Sequence, residues 1–182
     1  MKDNDVTLDS WETTENTRGF MHDLNEASYA FIDFAPTAPG PVIDMGCAFG
    51  VATLPTLATG ATVIACDLEP SHLDEVQKRT PSDQTSRLTT QQGLFPQDFD
   101  FESNSIGAIL CSHLLNFLPP DDMEAACAKM FDWLAPGGKI FAESYTHFNK
   151  LLCGATPDVA ARKAAGDRYP TWIEFGQYAG VD

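Results

Sequence analysis

Short apolar runs alternate with helix-like segments along most of this chain, and that alternation limits the fold more than any other feature. The runs that predict strands are residues 41–44, 61–66, 87–90, 105–111 and 139–144. Most of them lack a regular polar–apolar alternation, which is typical of strands buried on both faces of a parallel sheet. Because crossovers between parallel strands are right-handed, we predict an α/β fold with a doubly wound, mainly parallel sheet and helices on both faces.

The segments between these runs carry helix signals. Residues 51–59 form a helix-like stretch in which Pro55 predicts a late start or a kink, because proline inside a helix removes a backbone hydrogen bond. Two more helices are predicted over 70–80 and 119–133, and each is opened by proline. Residues 135–138, which contain proline and two glycines, are expected to form the turn that ends the second of these helices.

The chain of 182 residues has the length of one domain. We divide it into an N-terminal helical cap (1–40), a core (41–146) and a helical or irregular tail (147–182). Apolar residues of the cap recur at spacings of three and four, which predicts one helix face: Met21, Leu24, Ala27, Phe31 and Phe34. The alanine-rich stretch 155–165 of the tail is predicted to be helical.

The net charge of −15 opposes binding to nucleic acid, because such binding depends on Lys and Arg side chains that neutralise phosphates. The 11 basic residues are scattered, so a small molecule is the better candidate partner. No apolar run approaches the ~20 residues that cross a bilayer, and the polar N-terminus does not resemble a secretory signal. We therefore expect no membrane partner and a cytoplasmic location. The five cysteines lack metal-ligand spacing, so no metal site is expected.

The end of the first predicted strand carries the most informative motif, Asp44-Met45-Gly46-Cys47-Ala48-Phe49-Gly50. A tight turn between a buried strand and a helix needs glycine where the backbone is strained or where a ligand approaches it. The dinucleotide fingerprint G-x-G-x-x-G would need glycine at positions 46, 48 and 51, whereas this chain has Gly46, Ala48 and Val51. A nucleotide-dependent oxidoreductase is therefore disfavoured.

An acidic residue two positions before the first glycine resembles motif I of class I S-adenosylmethionine-dependent methyltransferases, D/E-x-G-x-G-x-G, with Ala48 in place of one glycine. The segment Leu134-Ala135-Pro136-Gly137-Gly138 also resembles the turn that precedes the fifth strand in that family. The resemblance covers roughly residues 40–146. It implies a Rossmann-like methyltransferase fold, S-adenosyl-L-methionine as the cofactor and S-adenosyl-L-homocysteine as the product.

The first two strand ends carry one half of the implied cofactor site, because ligands of such sheets bind beyond the carboxyl ends of the strands. The resemblance implies that Asp44 orients the methionine end, while the loop contacts the amino acid portion through Gly46, Cys47, Ala48 and Gly50. Asp67 ends the second strand, where a carboxylate can accept hydrogen bonds from both ribose hydroxyls. The alternative for Asp67 is that it caps the following helix. The resemblance implies that the next apolar residue, Leu68, packs on adenine.

The third and fourth strand ends carry the other half. The family often places an acid after the third strand, whereas this chain has Gln92, Gly93 and Leu94 there. We expect the Gln92 carbonyl and the Leu94 N–H to contact adenine instead. The segment after the fourth strand resembles the family's, which implies that carbonyls of Cys111 or Ser112 face the cationic methyl donor. His113 is the candidate general base, and its alternative is a structural residue hydrogen-bonded to backbone.

These observations predict a methyltransferase that acts on a small molecule by in-line transfer. The acceptor side would be formed by Trp11, Phe20, His113, Tyr145, His147 and Trp172, although aromatic residues at such spacings are often core residues. A non-catalytic adenosylmethionine-binding or scaffold domain is the alternative from another class.

A complete class I sheet has seven strands, and residues 147–182 do not have the pattern of its terminal hairpin. We therefore predict that the C-terminal strands are missing or abbreviated, either naturally or because the chain is truncated. The exposed edge of such a sheet needs covering, by the aromatic tail or by another copy of the chain. A homodimer is accordingly one hypothesis for the assembly.

Overall fold

A single sheet of five parallel strands forms the centre of the computed structural model, which describes residues 23–146, 148 and 153–172. The strand order is β3-β2-β1-β4-β5, so the direction of winding reverses between β1 and β4. The strands are β1 (Val42–Met45), β2 (Val63–Asp67), β3 (Leu88–Gln92), β4 (Ile106–Ser112) and β5 (Leu134–Glu143). The predicted doubly wound α/β fold is confirmed, and its switch point lies between β1 and β4.

Helices cover both faces of this sheet, as predicted. They are α1 (Glu26–Phe34), α2 (Thr53–Ala58), α3 (Pro70–Arg79) and α4 (Pro120–Trp133), and a further helix, α5 (Thr156–Ala164), lies in the tail. Neighbouring residues of β1 enter opposite cores: Val42 packs with Phe31 of α1 and Leu57 of α2, whereas Ile43 packs with Trp133 of α4. Successive strand residues point to opposite faces, so a strand between two helical layers is apolar throughout.

The helix boundaries follow from local capping. Helix α1 begins at Glu26 because the Asn25 side chain accepts a hydrogen bond from the Ser28 N–H. Helix α2 begins at Thr53, so Pro55 falls in its first turn, where a missing N–H costs little. The late start predicted from this proline is confirmed.

The predicted boundary of β5 is wrong. We expected a turn over residues 135–138 and a strand from 139, but β5 begins at Leu134, directly after α4. Leu134 pairs with Ile106 and Lys139 pairs with Ala108, so the intervening residues form an irregularity within the strand. Gly137 has a φ of +86°, which suits a bulged conformation that other residues rarely adopt.

The described part of the tail packs beside α4. Helix α5 lies within the predicted stretch 155–165, and the Trp172 Nε1–H donates to the Leu118 carbonyl oxygen at 2.9 Å. Arg168 and Tyr169 both contact Glu124 in α4. Trp11, Phe20, Met21 and His147 lie outside the described residues. In the part of the chain that the structure describes, no helix is both long and apolar enough to cross a bilayer.

Candidate functional site

The predicted site residues lie at one edge of the sheet. Strands β1, β2, β3 and β4 end at Met45, Asp67, Gln92 and Ser112. Every predicted cofactor-binding residue, and His113, lies within three residues of one of these ends or in the loop that follows β1. All five strands are parallel, so their carboxyl ends share this edge. The structure therefore brings the predicted residues together at the switch point of the fold.

The loop after β1 depends on left-handed backbone conformations. The φ angles are +77° at Gly46, +43° at Ala48 and +78° at Gly50. Ala48 is a non-glycine residue in this region, which costs on the order of 1 kcal/mol. The N–H groups of Gly46 and Cys47 both donate to the Cys66 carbonyl oxygen, at 2.8 and 3.0 Å, and thereby fasten the start of the loop to β2.

Asp44 supports this loop from inside the protein. Its carboxylate is buried and accepts a hydrogen bond from Thr53 Oγ1 at 2.6 Å, which joins β1 to the first residue of α2. Burial raises the pKa of Asp44 to about 6, and the nearby charge of Asp67 acts in the same direction, while the Thr53 hydrogen bond opposes them. The carboxylate of Asp44 therefore faces Thr53, and its hydrogen bond holds together the two ends of the loop between β1 and α2.

Asp67 is the most heavily bonded side chain of the site. Its Oδ2 accepts from the Ala48 N–H at 2.8 Å, and its Oδ1 accepts from the Glu69 N–H at 2.9 Å. His72 Nδ1 lies 3.0 Å from the same Oδ1. The alternative of a capping role is not realised among the described residues, because Glu69 is the N-cap of α3, which has no side-chain capping hydrogen bond. Oδ1 bonds the N–H of Glu69 itself, and Oδ2 bonds the loop.

His72 is a site residue that the sequence interpretation missed. It lies on α3 beside Leu73 and Val76, two residues that face the core, and only 2% of it is exposed. The available signal was its position one turn into the helix that follows Asp67, which directs it back toward the strand end.

The end of β3 lies against the end of β2. The Gly93 N–H donates to the Asp67 carbonyl oxygen at 3.0 Å, and Gln92 Nε2 donates to the Leu68 carbonyl oxygen at 3.3 Å. The Leu94 N–H, predicted to contact adenine, donates instead to Asp98 Oδ2 at 2.8 Å. Asp98 therefore supplies a carboxylate at this strand end. The sequence did not indicate Asp98 as a site residue, because Asp98 does not directly follow β3 in the chain.

Two apolar side chains are exposed beside this pair of strand ends. Leu68 is 40% exposed and Leu94 is 46% exposed, each one residue beyond the bonded pair Asp67 and Gly93. These two side chains provide apolar surface beside the ends of β2 and β3.

The end of β4 is tied to the N-terminal helix. Ser112 Oγ accepts a hydrogen bond at 2.8 Å from Nδ2 of Asn25, the residue that caps α1. Cys111 is fully buried, and burial raises the pKa of its thiol to about 12. Burial likewise raises the pKa of the Cys47 thiol far above its usual range, so neither cysteine has the thiolate character of a nucleophile.

His113 follows β4 with a φ of +54° and lies against the end of β5. Its Nε2 is 3.3 Å from Glu143 Oε1, its N–H donates to the Glu143 carbonyl oxygen at 2.8 Å, and its ring stacks on Tyr145 with centroids 4.4 Å apart. Burial lowers the pKa of His113 and raises the pKa of Tyr145 to about 12. The structure thus adds Glu143, which strand pairing places beside Ser112, as a carboxylate partner of the candidate base.

Among the described residues, no three His, Cys, Asp or Glu side chains are arranged to hold a metal ion. The site is therefore built from glycine backbone, two carboxylates, exposed leucines and a histidine–glutamate pair.

A doubly wound parallel sheet with a glycine-containing loop after β1 and a carboxylate at the end of β2 is the arrangement of Rossmann-like folds, a class that includes the class I methyltransferases. A family model described as "Methyltransferase domain" matches residues 42–138. This chain belongs to that family.

Comparison with individual proteins agrees with this assignment. The chain is 28% identical over 130 residues to a ubiquinone biosynthesis O-methyltransferase of Thiobacillus denitrificans, and the match covers 66% of this chain and 51% of the relative. The glycopeptide N-methyltransferase MtfA, complexed with sinefungin, is 28% identical with a TM-score of 0.52, covering 66% of this chain and 49% of that one. This chain spans about half the length of the proteins that it matches.

A third comparison supports the fold alone. The CcbJ methyltransferase of Streptomyces caelestis is 19% identical with a TM-score of 0.54, and the match covers 65% of this chain and 48% of that one. The shared architecture therefore extends to proteins whose sequences differ at most positions.

Proposed function

We propose that this chain transfers a methyl group from S-adenosyl-L-methionine to a small molecule and releases S-adenosyl-L-homocysteine. The observation that carries the proposal is the convergence of the glycine loop, Asp67, two exposed leucines and the His113–Glu143 pair at one edge of the sheet. Structures of MtfA complexed with S-adenosyl-L-methionine and with S-adenosyl-L-homocysteine, at 29% identity and a TM-score of 0.50 each, support this choice of cofactor and product.

The residues at this edge fit such a cofactor. Gly46 has a left-handed conformation, and a Cβ there would lie only 3.3 Å from the side chain of Leu114, so a larger residue would distort the loop. Asp67 Oδ2 bonds one donor among the described residues, so it retains acceptor capacity for a ribose hydroxyl. Leu68 and Leu94 offer apolar surface for the adenine ring.

The bound cofactor would supply an electrophilic methyl carbon on a cationic sulfur. Asp67 would hold the ribose, and Gln92 and Gly93 would border the adenine. The amino acid portion would lie against Gly46, Cys47, Ala48 and Gly50, with Asp44 holding the loop in shape. Backbone carbonyls of Cys111 and Ser112 would face the positive charge and help to align the methyl group with the acceptor.

His113 is the proposed general base on the acceptor side. Burial lowers its pKa, so its imidazole is neutral at pH 7 and can accept a proton from a hydroxyl or amine as the methyl group is transferred. Glu143 then stabilises the imidazolium, and the stacked ring of Tyr145 fixes the orientation of the imidazole.

The acceptor proposed here is a small molecule rather than a nucleic acid. The chain carries 26 acidic and 11 basic residues, and that balance repels a phosphate backbone. We further propose that no membrane takes part and that the protein acts in the cytoplasm.

Calorimetric titration tests the cofactor assignment. We expect micromolar binding of S-adenosyl-L-methionine and S-adenosyl-L-homocysteine, and no binding of NAD, because a pyrophosphate would fit poorly at a loop with alanine at position 48 and valine at position 51. Binding of NAD alone would replace the proposal with an oxidoreductase.

A non-catalytic adenosylmethionine-binding or scaffold domain is the second candidate. It is favoured by Ala48 in place of a loop glycine and by the lack of an acidic residue directly after β3, where this chain has Gln92 and Gly93. The two candidates differ in turnover: a methyltransferase releases S-adenosyl-L-homocysteine when a panel of small phenols, amines and thiols is supplied, whereas a scaffold binds the cofactor without acceptor-dependent release.

A pH profile of that turnover tests His113. A general base must be neutral, and burial lowers the pKa of this imidazole, so kcat should stay constant from pH 7 to 8 and fall on acidification. His113→Asn should lower kcat by about 100-fold and leave the affinity for S-adenosyl-L-homocysteine unchanged. An unchanged kcat in this variant would show that His113 is not the general base and would favour the structural alternative.

A further inference from the structure

His72 occupies a position that packing alone does not explain. Only 2% of its surface is exposed, and no described residue provides a hydrogen-bond partner for its Nε2. Burying an imidazole nitrogen without a partner costs free energy that an apolar residue of similar size would not. The single hydrogen bond of this side chain is the contact between Nδ1 and Asp67 Oδ1.

The chemistry of this contact fixes the arrangement of protons. The Asp67 carboxylate is an acceptor only, so Nδ1 must carry the hydrogen and donate it, and in the neutral imidazole Nε2 is then the nitrogen without a proton. Oδ1 already accepts from the Glu69 N–H, so the His72 bond completes its pair of donors. Oδ2 has the Ala48 N–H as its donor among the described residues, and it is the oxygen with capacity left for a ligand.

Helix α3 holds the loop through the same region. The His72 ring packs edge-on against the Phe49 ring, with centroids 4.7 Å apart, and Arg79 Nη1 donates to the Phe49 carbonyl oxygen at 2.8 Å. Asp67 is thus fixed from one side by the loop and from the other by α3. Without the Nδ1 bond, the carboxylate could rotate and withdraw Oδ2 from the position where it meets both Ala48 and a ligand.

We infer that His72 is a positioning residue for ribose recognition: it holds Asp67 in the orientation that presents Oδ2 to a hydroxyl of the cofactor. This inference rests on the proposed function and deepens it. It also replaces the bidentate contact expected from the sequence with a contact through one carboxylate oxygen.

The test compares two ligands and four proteins, the unaltered chain and three variants, by calorimetry. The ligands are S-adenosyl-L-homocysteine and its 2′,3′-dideoxy analogue, which lacks both ribose hydroxyls. His72→Leu removes the donor and keeps an apolar side chain, and we expect it to weaken S-adenosyl-L-homocysteine on the order of tenfold, with the dideoxy analogue unchanged. His72→Asn carries an N–H at the same number of bonds from the backbone as Nδ1, so it should restore most of the lost affinity.

Leu73→Ala is the matched control, because Leu73 is the neighbouring buried residue of α3. Loosening of the helix should affect both ligands alike. If His72→Leu weakens both ligands equally, or neither, or if His72→Asn gives no rescue, the positioning role is overturned. If the unaltered chain binds no S-adenosyl-L-homocysteine, the proposed function fails with it, and that outcome is distinct from the others.

A second measurement does not depend on the folding of any variant. The imidazole ¹⁵N chemical shifts of the unaltered protein report the tautomer, and we expect a hydrogen on Nδ1 of His72. A hydrogen found on Nε2 alone would contradict the donation to Asp67 and overturn the inference.

Discussion

The carboxyl group of Asp44 is buried between β1 and α2, and the free-energy cost of burying it depends on pH. Its pKa of about 6 in the folded protein lies above the ordinary value of 3.8, so the folded state binds the proton more tightly than the unfolded chain. The free energy of unfolding must therefore fall as the pH rises through this interval. The same burial keeps the Thr53 hydrogen bond away from water, so one residue both fastens the loop and limits stability at neutral pH.

Asp44→Asn isolates this effect. The amide keeps an oxygen for Thr53 and cannot ionise, so the unfolding free energy of the unaltered chain relative to this variant should fall by about 2 kcal/mol between pH 4.5 and pH 7. Urea unfolding at the two pH values measures the difference. Parallel pH dependence in both proteins would show that Asp44 ionises in the fold as easily as in water.

The sequence could indicate candidate residues for the site, but it could not indicate the side chains that contact them. Asp44, Gly46 and Asp67 could be found because each stands at a fixed place relative to a strand end. His72, Asp98 and Glu143 could not, because each reaches the site from another segment through tertiary packing, and a single sequence contains no spacing that reports such contacts.

At the scale of the elements, the strands were predictable because a central parallel strand is apolar on both faces. Runs such as 61–66 and 105–111 therefore agree with β2 and β4 to within two residues. Strand β3 was predicted too short, since its last residues, Gln91 and Gln92, are polar and are held by pairing with Cys66 and Asp67. Pairing with a neighbouring strand, rather than the composition of the segment, sets such boundaries.

The loop after β1 gives a prediction at this scale. Gly46→Val forces a branched side chain into a left-handed conformation and toward Leu114, so binding of S-adenosyl-L-homocysteine should fall below detection. Gly137→Val is the matched control, since its φ is also positive and a Cβ there meets no atom within 4 Å. Both variants should lose stability, on the order of 1–2 kcal/mol, from backbone strain. Normal binding by Gly46→Val would remove this loop from the cofactor site.

At the scale of the whole molecule, β5 is the outermost strand beside β4 within the residues that the structure describes, and another strand can add to its far edge. The described tail contacts Leu118 and Glu124 beside α4, while α1 packs against β5 through Phe34 and Phe141. The sequence predicted that an abbreviated sheet would need a cover at this edge. Self-association through β5 remains our hypothesis for that cover.

Sedimentation velocity over a wide range of concentration tests this hypothesis. We expect a concentration-dependent dimer, and Ile140→Lys, which puts a charge on β5, should shift the protein toward monomer. Phe131→Lys is the matched control, because Phe131 is an exposed apolar residue of α4. A monomer at every concentration, or equal effects of the two substitutions, would remove β5 as the interface.

The bonds that converge on Asp67 bear on how such a chain can evolve. This carboxylate joins the glycine loop, the end of β2 and the start of α3, so selection for folding alone would preserve it. A descendant that had lost methyltransferase activity would keep the same loop and the same carboxylate. Its relationship to methyltransferases would therefore remain recognisable in its sequence after the activity was lost. His113 and Glu143 join the ends of β4 and β5, and they are the positions where we expect substitutions to appear first once catalysis is lost.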